Sequence, residues 1–315
     1  MKKCYKIGMV GLGSIGTRHL KNIPVVLNER GCSYRIDLIR SGKGKEPDSL
    51  IAQDINQVFN VYDYIPDDYD IVFITNPTYL HFETIKQFVT KTKHMFIEKP
   101  VFNTTNVFLD DLQLKSDSVY YVACPLRYTN VIQYLKHRCD LKKVYCARVI
   151  CSSYLPEWRP NRDYRNTYSA HKDQGGGVSI DLIHEWDYLC YLFGQPQQVF
   201  NIKGRFSNLE IDSDDLSLYI VKYADMAIEV HLDYFGRKTI REIQIFTNED
   251  TIIGDFVNYE IRYLKSGEIV SFKEQRNDFQ IKEIAHFFDM VEGKAVNEND
   301  IPKALRTLQI VMEGR

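Results

Sequence analysis

Gly11-Leu12-Gly13-Ser14-Ile15-Gly16 follows the apolar run Ile7–Val10 directly and opens a segment with Leu20 and Ile23 at helical spacing. That strand–turn–helix context is the one a dinucleotide-binding loop requires. Gly11 allows the tight turn, Gly13 lets the backbone approach a pyrophosphate, and Gly16 permits close helix–strand packing. The helix that starts there offers free N–H donors and the positive end of its dipole. The end of the next strand normally separates the two nicotinamide cofactors, because a carboxylate there binds the 2′-hydroxyl of NAD and repels a 2′-phosphate. Here the segment reads Leu38-Ile39-Arg40-Ser41-Gly42-Lys43, with no acid, and Asp37 falls inside the strand. Arg40, Ser41 and Lys43 suit charge-assisted bonds to a phosphate, so NADP is expected over NAD; a solvated basic loop is the alternative.

Two further segments occupy the carboxyl ends of predicted strands, where open α/β sheets bind ligands: Thr75-Asn76-Pro77-Thr78-Tyr79-Leu80-His81 and Glu98-Lys99-Pro100. A Glu-Lys pair at such a place is costly to bury without a purpose. Farther on, Trp158, Arg159 and Tyr164 stand in a stretch rich in aromatic and Arg side chains just before Gly175-Gly176-Gly177. Rings stack on sugar faces and guanidinium forks bind carboxylate or phosphate, so these three are candidate substrate residues, with a packed surface loop as the competing reading.

The glycine loop, Asn76-Pro77-Thr78 with His81, Glu98-Lys99-Pro100, and the glycine triplet followed by Asp181 and His184 together resemble the glucose-fructose oxidoreductase, inositol dehydrogenase and rhizopine-catabolism (Gfo/Idh/MocA) family of nicotinamide-dependent oxidoreductases. The resemblance runs over essentially the whole chain. It implies an N-terminal Rossmann domain and a C-terminal domain whose open sheet builds the substrate pocket and often the oligomer interface. It maps the acid/base lysine onto Lys99 and the substrate-lining pair onto Asp181 and His184, and it places Thr75, Asn76, Pro77, His81, Glu98 and Arg127 beside the cofactor. Asp181 and His184 stand three residues apart where four is the common spacing, and Asp187 takes the place of an acid read as structural. The chemistry agrees with this assignment. Removing hydride from a carbinol carbon needs a base for the hydroxyl proton, and a lysine beside a cationic nicotinamide has its ammonium form disfavoured. His184 can share or relay that proton while Asp181 orients the substrate hydroxyl.

The elements that must position these groups follow from the periodicity. Residues 5 to 124 alternate β-rich runs with helical stretches: strands at Tyr5–Val10, Arg35–Arg40, Ile71–Thr75, His94–Ile97 and Val119–Ala123, with helices after the first, third and fourth. This reads as a doubly wound parallel α/β sheet, residues 1–124. Residues 125–315 read as an α+β domain with a large open, mainly antiparallel sheet. It holds a helix over Val178–Phe193, strand runs at Leu216–Tyr223, Met226–Tyr234, Ile240–Phe246 and Tyr259–Leu264, and two tail helices, one with the apolar stripe Ile281, Ile284, Phe287, Phe288 and Val291 and one with Leu305, Leu308, Val311 and Met312. A cleft between two domains is where such a ligand is expected. Those strands carry Tyr219, Ile220, Val230, Leu232, Phe235, Ile243 and Ile245, more apolar surface than one covering layer hides, so a homodimer or homotetramer is expected.

Composition bounds the partners. Forty Lys+Arg stand against 42 Asp+Glu, a balance without a nucleic-acid footprint, and no apolar run approaches the ~20 residues of a membrane span. Seven cysteines without CxxC spacing signal neither a disulfide framework nor a metal clip, so no metal and a cytoplasmic setting are expected. The leading expectation is an oxidoreductase moving hydride between a nicotinamide and a secondary alcohol or ketone of a sugar or sugar derivative, acidic or nucleotide-linked sugars included. The alternatives are a glycosidase of the same build that oxidises C3 transiently, and a ligand sensor that has lost catalysis.

Overall fold

The structure, a computed structural model, describes residues 3–42, 52–60 and 64–314; Lys43 lies outside them. Two compact units emerge, one formed by residues 1–123 with 280–305, the other by residues 124–279 with 306–315.

The first unit contains β1 (Cys4–Val10), α1 (Ser14–Glu29), β2 (Ser33–Ile39), β3 (Ile55–Phe59), β4 (Tyr69–Ile74), α2 (His81–Phe88), β5 (Thr92–Ile97) and β6 (Tyr120–Val122). The strands form one parallel sheet in the order β3-β2-β1-β4-β5-β6, the Rossmann order, whose direction reverses between β1 and β4. Ile7, Met9, Ile71, Phe73 and Phe96 are fully buried in this sheet, and α1 presses Leu20, Ile23 and Leu27 onto it. Each such side chain contributes about 1.5–3 kcal/mol.

Three features depart from expectation. Strand β3 carries no sequence signal, because Asn56, Gln57 and Val58 are exposed and an edge strand needs little apolar alternation. After β5 the chain forms a 3₁₀ turn at Leu109–Leu112 instead of the expected helix. The helix α6 (Asp278–Val291), assigned by sequence to the C-terminal domain, packs from Gln280 onward in the first unit. Its Phe287 meets Phe73 and Phe96 at centroid distances of 5.8 and 5.3 Å, and Glu283 accepts a 2.9 Å bond from Tyr121. Apolar spacing identifies the helix stripe but not the sheet that will cover it.

The second unit contains α3 (Asn130–Arg138), β7 (Val144–Tyr154), α4 (Val178–Asp181), α5 (Ile183–Phe193), β8 (Gln198–Gly204), β9 (Leu216–Lys222), β10 (Ala227–Asp233), β11 (Phe235–Thr247), β12 (Thr251–Asp255), β13 (Glu260–Tyr263) and β14 (Ile269–Ser271). A last helix, α7 (Ile301–Glu313), ends the chain. The eight strands run β14-β13-β12-β11-β7-β10-β9-β8; β7 and β10 are parallel and the other neighbours antiparallel. The helix expected over Val178–Phe193 is two helices, broken at Leu182 (φ −96°, ψ 23°). One sheet face is core: Tyr219, Val230, Leu232, Ile243 and Ile245 are buried, and Trp186 of α5 packs edge-on against Tyr219 at 4.9 Å. Ile220 is 59% exposed on the other face, with Phe200 and Ile202 also open.

Candidate active site

In the first unit the glycine loop is a backbone requirement. Gly11 has φ +90°, and a Cβ there would stand 2.8 Å from the Asn76 backbone; a Cβ on Gly16 would stand 2.6 Å from Thr75 Oγ1. Those two glycines let β1, β4 and α1 meet. Gly13 is different, because a Cβ on it would touch nothing within 4 Å. It lies exposed at the start of α1, where no side chain among the described residues caps the helix, so the first-turn N–H groups are left for another acceptor. Leu12 and Ile15 are half-buried flanks of this loop and Ser14 is exposed. Beside it, Thr75 Oγ1 donates to the carbonyls of Val10 and Gly11 at 3.0 Å each. Asn76 Nδ2 donates to Thr84 at 2.8 Å while its buried Oδ1 has no partner among the described residues. An open cradle at a helix N-terminus with an orphaned polar atom next to it fits a dinucleotide.

Pro77 is exposed on the turn that follows. His81 is buried with Nε2 3.0 Å from the Asn76 carbonyl and Nδ1 3.2 Å from the Val101 carbonyl, so it ties two strand ends together and acts on the loop from behind. Burial lowers its pKa. At the end of β2, Arg40 is buried with its N–H bonded to the Phe59 carbonyl at 3.0 Å, and Ser41 is exposed. Asp37 lies inside the strand, where Asn56 (2.8 Å) and Tyr69 (3.0 Å) donate to its carboxylate.

At the end of β5, Glu98 is buried and bonds His19 of α1 at 2.5 Å, while its other oxygen accepts the Lys99 N–H at 3.2 Å. Burial opposes ionisation of Glu98, but the His19 contact and the Lys99 charge outweigh it and lower the pKa. Lys99 follows, half-buried, in a cis peptide with Pro100. The motif's carboxylate therefore works inward, holding the backbone that presents the lysine. His19 was not among the sequence candidates; its signal is a histidine three residues after Gly16, one turn into the helix.

In the second unit Asp181 ends α4 and His184 is the second residue of α5, on either side of the Leu182 break. Asp181 is buried and accepts the Tyr234 hydroxyl at 2.6 Å; the Tyr168 hydroxyl also bonds to it. The Tyr234 phenol is raised well above its ordinary pKa by burial and then by Asp181, that of Tyr168 by Asp181 and then by burial. Trp158 packs edge-on against Tyr234 at 5.2 Å, and the Arg159 guanidinium lies 5.7 Å from the Tyr168 ring centroid. Trp158, Arg159 and Tyr164 line one narrow crevice, so the structure brings the three together and links Trp158 and Arg159 to Asp181 through two phenols. Nothing in a chain with 21 tyrosines marks those two in advance. Gly176 makes the arrangement possible: a Cβ there would run into the Tyr168 carbonyl and stand 2.8 Å from those of Ser169 and His171.

Arg127 has a different position from the one expected of a cofactor residue. Its Nε and Nη2 donate to the two Asp187 oxygens at 2.8 and 2.7 Å, both side chains buried, with the Tyr191 ring 5.0 Å away. This bidentate pair joins the turn before α3 to α5.

Residues 5–111 match the model of the oxidoreductase family with an NAD-binding Rossmann fold. The myo-inositol 2-dehydrogenase of Thermotoga maritima is 23% identical over 326 residues, 95% of this chain and 93% of that protein. Levoglucosan dehydrogenase in complex with NADH and levoglucosan superposes with a TM-score of 0.79 at 18% identity, over 98% of this chain and 95% of that one. The WlbA dehydrogenase of Bordetella pertussis, in complex with NADH and UDP-GlcNAcA, gives 0.75 at 15% identity over 99% and 94%. The glycine loop, the Glu-Lys-Pro turn and the Rossmann strand order agree with these likenesses: residues 5–111 carry the NAD-binding Rossmann domain of the Gfo/Idh/MocA oxidoreductase family.

Proposed function

We propose that this protein is an NADP(H)-dependent oxidoreductase that interconverts a secondary alcohol and a ketone on a sugar or sugar derivative, with Lys99 as the acid/base group. The observation that carries the reading lies within one sheet. The open cradle at Gly13 and the lysine after β5 both stand at carboxyl ends of parallel strands, on the two sides of the β1/β4 reversal. NADP supplies the site that accepts or returns hydride. Gly11 to Gly16 hold the pyrophosphate by backbone N–H groups, Asn76 offers its orphaned Oδ1, and Arg40 with Ser41 takes the 2′-phosphate. Lys99 in its amine form accepts the hydroxyl proton as the carbinol C–H bond breaks, and returns it in the reverse direction. Asp181 orients the substrate hydroxyl and His184 shares the proton. A panel of neutral, acidic and nucleotide-linked sugars scored for net NADP+ reduction tests this; turnover of a glycoside without any change in cofactor absorbance overturns it.

Cofactor choice has its own test. Arg40→Ala is expected to weaken NADP(H) binding by about 1–3 kcal/mol while leaving NAD(H) unchanged, read by fluorescence titration of both. Equal loss for both cofactors removes Arg40 from phosphate recognition.

We infer also that the protein is a homodimer or homotetramer through the outer face of the eight-stranded sheet. Phe200 (69% exposed), Ile202 (52%) and Ile220 (59%) lie there, interleaved with the Arg148–Glu229 pair at 2.9 Å. Light scattering on the 36.9 kDa chain is expected to give a multiple of that mass, and Ile220→Arg to shift it toward monomer. A monomer across micromolar concentrations defeats this assembly.

A further inference from the structure

Three arginines fall at three-residue intervals on the turn after β7: Arg159, Arg162 and Arg165. Their electrostatic circumstances differ. Arg165 is neutralised twice, by Asp163 at 2.8 Å and Glu210 at 3.2 Å. Arg159 and Arg162 have no carboxylate partner among the described residues, although both line the same crevice with Trp158, Tyr164 and Thr167. Glu157 is the acid adjacent in sequence, and it is exposed with no ion pair among the described residues. Two uncompensated cations on one turn repel each other, and a ligand anion relieves that.

The surroundings say how the anion would sit. Arg159 lies over the Tyr168 ring at 5.7 Å, a cation–π contact, and a guanidinium fork suits a bidentate acceptor. Tyr168 is held in turn by its hydroxyl bond to Asp181, and Tyr164 is anchored by the Glu210 N–H at 3.2 Å. The crevice interior is about 10 Å³, room for about one water, so an anion's oxygen enters it while a sugar ring stays outside. We propose that Arg159 and Arg162, on the platform of Tyr164 and Tyr168, form an anion subsite that binds a carboxylate or phosphoryl group carried by the sugar substrate. The proposal rests on the reading that this unit takes the sugar.

Trp158 lines the crevice and is 36% exposed, while the chain's second tryptophan, Trp186, is fully buried. Quenching of Trp158 therefore reports occupancy directly, without turnover. Titration with glucuronate and glucose 6-phosphate is expected to quench it at concentrations at least tenfold below those needed with glucose. Added salt should weaken that binding. The Arg159→Ala/Arg162→Ala variant is expected to lose the tenfold preference, and the Arg159→Lys/Arg162→Lys variant, which keeps charge without the fork, to recover part of it. Anionic and neutral sugars quenching alike, or a preference unchanged in the double-alanine variant, overturns the subsite. Inorganic phosphate binding as tightly as glucose 6-phosphate overturns the assignment to a substrate group. The two readings separate cleanly: neutral sugars turned over with no anion preference defeat the subsite alone, whereas anion binding with no sugar oxidised by any cofactor defeats the dehydrogenase reading alone.

Discussion

Lys99→Met is expected to lower kcat by about 10²–10⁴-fold and leave cofactor affinity nearly intact. Methionine keeps the length and apolar stem of the side chain but has no proton to give or take. The groups proposed to hold the dinucleotide sit on other elements: the glycine loop after β1, Asn76 after β4, and Arg40 after β2. The backbone at residue 99 is held independently, by the Glu98 carboxylate at 3.2 Å and the His19–Glu98 bond behind it, so losing the amine leaves the turn in place. Steady-state kinetics and a fluorescence titration of NADP(H) on the purified variant check both halves. Undiminished kcat removes Lys99 from the mechanism, and a parallel loss of cofactor binding moves it into the binding site.

The Arg127→Ala substitution is expected to destabilise the second unit by about 3–5 kcal/mol, because it strands the Asp187 carboxylate inside the protein. The pair is bidentate, with side chains only 8% and 11% exposed. Replacing both members by apolar residues of similar volume, Arg127→Met with Asp187→Leu, is expected to recover most of that loss, since it removes both desolvated charges. Denaturant unfolding of the two variants measures the difference. A small effect in the single variant, together with weakened cofactor binding in the protein that stays folded, would return Arg127 to the cofactor role that the family resemblance assigns it.

Most of the first unit was legible from residue order. Glycines at a strand–helix junction and apolar runs ending in Thr75-Asn76 and Glu98-Lys99-Pro100 are local signals, and the Rossmann order β3-β2-β1-β4-β5-β6 is the arrangement such alternation folds into. Edge strand β3 escaped because its exposed centre, Asn56, Gln57 and Val58, leaves no period-two pattern. In the second unit four of the eight strands, β9, β10, β11 and β13, were legible, but no site was. Asp181 and His184 were found through a motif, whereas the two phenols on Asp181 come from Tyr168 in a loop and Tyr234 at a strand end, fifty-three positions from the acid in the latter case.

Residue types and local spacing thus determined by themselves the fold class and the places of the glycine loop at the β1–α1 junction and of Lys99 at the end of β5, because turns, periods and strand-end motifs are short-range properties. Three things were decided by tertiary structure. Packing of Phe287 against Phe73 and Phe96 put residues 280–305 with the first unit. The Asp187 carboxylate claimed Arg127, and Asp181 gathered Trp158 and Arg159 through Tyr234 and Tyr168. Each joins residues far apart in the chain. Which of many equivalent aromatic or charged side chains meet is set by how buried surfaces and buried charges find partners, and no local pattern records that choice.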